Sequence, residues 1–94
     1  MLTCNVTFHC KSGCRSQFYQ EITAIKLQEY SSQEAGNIKY EFYFSATDSD
    51  TLLLVETWID EAFQKQHSMS EAVANLQPLK SLYCTGLTVD RFIS

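Results

Sequence analysis

Ninety-four residues allow one domain, and a chain this short buries only about 60% of its unfolded surface, leaving a thin core that a partner subunit would thicken. With 45% hydrophobic, 13% aromatic and 19% charged residues the composition is globular, neither disordered nor fibrous. The net charge is −4, and Lys11, Arg15, Lys26, Lys39, Lys65, Lys80 and Arg91 lie scattered among acids, which excludes the clustered cations that a nucleic acid or an anionic membrane requires.

Leu2 to Cys10 alternates, with Leu2, Cys4, Val6 and Phe8 on one side and Thr3, Asn5, Thr7 and His9 on the other, the period of a half-buried strand. This pattern begins directly after Met1, without the basic, apolar and small-residue segments of a secretion signal. The longest aliphatic run, Leu52 to Val55, is too short to cross a bilayer, so a cytoplasmic protein with no membrane partner is expected. Lys11-Ser12-Gly13 makes a turn, and Ser12 or Ser16 is placed to cap a helix. From Cys14 to about Ser32 the residues Phe18, Ile22, Ile25 and Tyr30 mark the apolar face of a single helix, ended by Gly36 and Asn37, which both tolerate positive φ.

Ile38 to Ser45 is an aromatic strand with Tyr40, Phe42 and Phe44 on one face, and the polar tract Ala46 to Asp50 turns it into a partner strand from Leu52 to Trp58. Asp60 or Glu61 opens a second helix with Ala62, Phe63 and His67 along one side, continuing past Ser70 through Ala72, Val73 and Leu76 until Pro78 stops it. A last strand runs from about Gly86 to Ile93. The order is βαββαβ, a ferredoxin-like α+β fold spanning residues 1–94 as one domain, with an antiparallel sheet and two helices on one face. Leu52 to Val55 are apolar at both parities and need cover on both faces. Helices supply one cover, and packing of two sheets face to face in a homodimer supplies the other.

Cys4, Cys10, Cys14 and Cys84 show no C-x-x-C spacing and no histidine pair, so they read as structural thiols and no metal site is expected. Three glycines form neither a dinucleotide fingerprint nor a phosphate-binding loop, so no cofactor is expected. His67 is the best catalytic candidate, because imidazole titrates near neutrality and an apolar pocket would keep it neutral and able to accept a proton; a core-edge histidine bonded to backbone is the alternative. Trp58, at a strand end, offers a flat wall and an N–H for an oxygen atom, or simply packs. Glu56 shares the parity of Trp58 and either orients His67, fixes a substrate hydroxyl or pairs with a cation. Tyr40, Phe42 and Phe63 line a pocket for a ring or belong to the core.

The stretch Lys11-Ser12-Gly13, the turn Glu34-Ala35-Gly36-Asn37 and, above all, Glu56-x-Trp58-x-Asp60-Glu61-Ala62 with His67 and Ser70 resemble the antibiotic biosynthesis monooxygenase superfamily over nearly the whole chain. The resemblance implies a dimeric α/β barrel with a cavity between each sheet and its helices. It matches His67 and Trp58, the candidate catalytic residues, to commonly retained positions and Glu34, Gly36 and Asn37 to the family's turn; Tyr40, Phe42, Glu56, Phe63 and Asn37 are the candidate substrate-binding residues. The implied function is a cofactor-independent, quinol-monooxygenase-like oxidation of a small hydrophobic or aromatic molecule by dioxygen. Two alternatives belong to the same superfamily or fold: an isomerase of a small phosphorylated signal molecule, with Lys65, Lys39 or Arg91 as its phosphate site, and a ligand-binding dimer without turnover. The haem-degrading branch fits poorly. It carries a strand-one asparagine where Val6 stands, and an iron-ligating histidine further along the second helix, where this chain has none.

Overall fold

A computed structural model describes residues 1–94. Four strands, β1 (Leu2–Cys10), β2 (Asn37–Phe44), β3 (Thr51–Trp58) and β4 (Cys84–Ile93), form one sheet in the order β2-β3-β1-β4 with antiparallel neighbours. Four helices, α1 (Arg15–Ala24), α2 (Leu27–Ser32), α3 (Glu61–Ser68) and α4 (Glu71–Tyr83), cover one face. The ferredoxin-like α+β reading is therefore correct at the level of the sheet, and each expected helix is divided in two.

The first division falls at Lys26, which takes left-handed backbone at φ 58° and whose carbonyl accepts from Tyr30 N. In an unbroken helix Leu27 would stand about 200° around the axis from Ile25, away from the core. The break turns it inward, and Leu27 becomes fully buried beside Phe18 and Ile22, while Tyr30, expected on the apolar face, is exposed. Neither Ser12 nor Ser16 caps this segment; Cys14 holds the cap position without a side-chain bond.

The second division falls at Ser70, whose Oγ accepts from Val73 N at 3.2 Å and so starts α4 afresh. Pro78 does not stop that helix, which runs on to Tyr83 and passes directly into β4 at Cys84. An interior proline costs about 3 kcal/mol. Leu76 is buried and Leu79 and Tyr83 pack on the core beyond it, and burial at about 1.5–3 kcal/mol per large apolar side chain outweighs the loss.

The helix-covered face of the sheet carries Leu2, Cys4, Phe8 and Cys10 of β1 and Leu52, Leu54, Glu56 and Trp58 of β3, all buried. Register places Val6 between Leu54 and Val89, and Phe8 between Leu52 and Leu87. The opposite face carries no helix. Thr3 and Thr57 bond there at 3.0 Å, Leu53 and Val55 are half-buried, and Tyr43 and Phe92 are exposed. All four cysteines are free, with Cys4 and Cys10 buried in the sheet as the alternation suggested. No helix is long and apolar enough to cross a membrane.

Candidate functional site

Asp60 ends β3 in extended backbone, and its carboxylate accepts from the backbone N–H groups of Ala62 and Phe63, fixing where α3 begins. Two turns later the helix delivers His67, 4% exposed, over the β3 end of the sheet. Gly36, at φ +80°, lies against the Phe63 ring so closely that a Cβ there would overlap it. This close approach seats the β2 entry turn under α3 and brings Glu34, 33 residues away in sequence, to His67. The Glu34 oxygens lie 3.1 and 3.2 Å from His67 Nδ1. A carboxylate only accepts, so Nδ1 carries the proton and Nε2, which has no protein partner, is the acceptor-capable nitrogen.

Two aromatic rings fix the plane of the imidazole. Trp58 lies 4.9 Å away, tilted by 31°, and Tyr40 meets it at 5.2 Å and 73°. Trp58 is wholly buried, and its indole Nε1–H donates to Glu56 at 2.9 Å. That N–H is therefore committed within the protein, and the orienting carboxylate of His67 is Glu34, with Glu56 supporting Trp58. Glu56 makes no ion pair with Lys or Arg. The expected apolar surroundings of His67 thus include two carboxyl groups, Glu34 bonded to the ring and Glu56 in the same cavity lining.

Burial pushes the Glu56 carboxyl above its ordinary value of 4.5, with the Trp58 hydrogen bond and His67 pulling the other way. Burial, with the nearby Glu56, also pushes the Tyr40 hydroxyl up. A carboxyl whose pKa is raised by folding contributes stability below its unfolded value, and this is lost as pH rises through the folded one. Glu56→Gln keeps an acceptor for Trp58 and removes the titration. The variant should therefore gain stability relative to wild type as pH rises above the ordinary carboxyl range, read as a urea midpoint difference that widens with pH.

A cavity of about 270 Å³ opens between the sheet and the α3–α4 pair. His67, Glu56 and Tyr40 line it, together with Gln64 and Ser68 of α3 and the apolar floor Val6, Leu54 and Val89. Trp58, Phe42, Phe63 and Asn37 do not line it. Phe42 packs between Tyr40 and Tyr19, Phe63 covers Gly36, and Asn37 Nδ2 donates to the carbonyls of Lys39 and Thr57 across an irregularity in β2. Ala62 is exposed. Of the cations named for a phosphate site, Lys39 pairs with Glu41, Arg91 with Glu61, and Lys65 is exposed. Lys80, which sequence reasoning passed over, does line the cavity. The signal was its spacing with Val73 and Leu76 on one helical face, hidden by treating Pro78 as the end of the helix. No group of three or more His, Cys, Asp or Glu is arranged to hold a metal ion.

Sheet, helices and cavity define a ferredoxin-like α+β domain with a ligand-sized site on its helical face. The chain belongs to the antibiotic biosynthesis monooxygenase family, whose model matches residues 1–79. Solved structures share the fold. A protein from Nitrosomonas europaea, provisionally assigned as an antibiotic biosynthesis monooxygenase, is 18% identical with a TM-score of 0.89, covering 100% of this chain and 98% of that one. PA3566 from Pseudomonas aeruginosa is 22% identical with a TM-score of 0.88, covering 99% and 92%. Rv0793 from Mycobacterium tuberculosis is 20% identical with a TM-score of 0.87, covering 99% and 93%. No curated protein matches this chain.

Proposed function

We propose that the protein is a cofactor-independent monooxygenase that oxidises a small aromatic or quinol-type molecule with dioxygen, using His67 as general base. The observation that carries this reading is the imidazole itself, held between Trp58 and Tyr40, bonded through Nδ1 to Glu34, and lining the cavity. Nε2 takes the proton of a phenol or an activated C–H, and Glu34 stabilises the positive charge that develops on the ring. The remaining carbanion or phenolate is electron-rich enough to give an electron to dioxygen. For an anthrone-type substrate the balance closes when the methylene carbon becomes a carbonyl and the second oxygen atom leaves as water. The apolar floor of Val6, Leu54 and Val89 gives the ring of the substrate an apolar surface to lie on.

The same reading includes a homodimer through the helix-free face, supported by the half-buried Leu53 and Val55 beside exposed Tyr43 and Phe92. Light scattering after gel filtration tests it, a mass of one chain being the contrary result. The activity is tested by oxygen uptake on adding reduced quinols and anthrone to chelator-treated protein. Protein-dependent uptake supports the monooxygenase. Absence of uptake across the panel contradicts it and favours the isomerase or the ligand-binding dimer.

A further inference from the structure

The cavity has two polar ends. His67 and Glu56 stand at one, where Glu56 lies opposite Cys4 in the sheet. Lys80 stands at the other, beside Leu87, which lies opposite Phe8. Along β3 these two levels are Glu56 and Leu52, four residues apart, or about 13 Å. Along α4, Lys80 lies two turns beyond Val73, or about 10 Å. Between the ends the lining is apolar, with Val6, Leu54 and Val89 beneath and Val73 and Leu76 to the side.

Lys80 is half-buried and makes no ion pair or side-chain hydrogen bond, in a protein with a net charge of −4. The other cations beside the sheet are already engaged: Lys39 pairs with Glu41, Arg91 with Glu61, and Arg15 donates to the carbonyls of Ser45, Asp48 and Thr51. A molecule that reaches from the imidazole to this ammonium is elongated, with an ionisable hydroxyl at one end and a negative charge at the other. We propose that Lys80 is a specificity-determining residue that selects a phenolic substrate bearing a carboxylate at the end remote from its hydroxyl. A carboxylate is favoured over a phosphate because the ammonium is a single point charge, and a dianion would keep one charge unpaired among apolar walls. The proposal rests on the reading of His67 as the base that meets the hydroxyl, and it adds the chemical class of the far substituent.

Titration calorimetry with para-hydroxycinnamate and its uncharged amide, para-hydroxycinnamamide, tests it without requiring turnover. Wild type should bind the acid more tightly than the amide by about ten-fold or more, the range of a charge-assisted hydrogen bond. Lys80→Met keeps the aliphatic stem and should lose that preference while leaving the amide affinity and the melting temperature unchanged. Lys80→Arg should retain part of it. Equal affinity for acid and amide in wild type, failure of both to bind, or a preference that survives Lys80→Met overturns the proposal. Because binding is the readout, charge selection stands even if oxygen chemistry fails. Conversely, oxidation of neutral quinols by a protein whose preference for the acid over the amide survives Lys80→Met supports the functional reading while rejecting Lys80 as its selector.

Discussion

His67→Ala should lower the rate of oxygen uptake by about 10²–10⁴-fold, the usual contribution of a positioned general base. The affinity for para-hydroxycinnamate should change only a few-fold, because the apolar floor and Lys80 remain. The protein should still fold. His67 is buried but stands outside the apolar cluster, so its removal leaves the sheet core of Phe8, Leu52, Leu54 and Phe18 in place. Glu34→Gln separates proton acceptance from orientation. An amide oxygen still accepts from Nδ1, so the ring stays in its tautomer, but the negative charge that steadies the imidazolium is gone. Its rate should lie between those of wild type and His67→Ala. A Glu34→Gln enzyme with the full wild-type rate would mean that the 3.1 Å bond serves packing alone.

Trp58→Ala should have the largest effect on stability. The indole is wholly buried, stacks on His67 and satisfies Glu56 with its N–H. Deleting a buried Trp costs about 3–5 kcal/mol. Leaving the buried Glu56 carboxyl without its donor adds about 1–3 kcal/mol. A domain of this size holds about 5–15 kcal/mol in total, so most of its stability is lost and urea unfolding should move to a far lower midpoint. Trp58→Phe keeps most of the apolar surface and loses only the hydrogen bond. It should therefore sit well above Trp58→Ala, and if the two variants unfold together then the N–H to Glu56, rather than ring burial, dominates.

Much of the fold was legible because its signals are local. Alternation in Leu2 to Cys10 and Ile38 to Ser45, the polar turn at Ala46 to Asp50 and the Asp60 cap each depend on neighbours a few residues away. The two helix breaks were harder to see. Lys26 adopts φ 58° with no glycine or proline to announce it, and only the burial of Leu27 explains the turn. Ser70 did carry a cap signature, read instead as part of one long helix.

The site was legible in part. His67 stood out by its chemistry, but its partner could not be read from spacing, since Glu34 reaches it only because Gly36 lets Phe63 settle on the β2 turn. Glu34 had the features of a turn residue and nothing more. Glu56 shares a strand face with Trp58, and that parity left open whether it served histidine, substrate or indole; the 2.9 Å bond assigns it to the indole.

The central claim is that His67 takes a proton from the substrate before oxygen reacts. Rapid mixing of the protein with anthrone under strictly anaerobic conditions isolates that step, because the anthrone anion absorbs visibly and cannot be consumed without oxygen. The wild-type protein should develop the bound anion within the mixing trace, and His67→Ala should not. Absence of the anion with wild-type protein, or the same anion with His67→Ala, would contradict the assignment of His67 as the base.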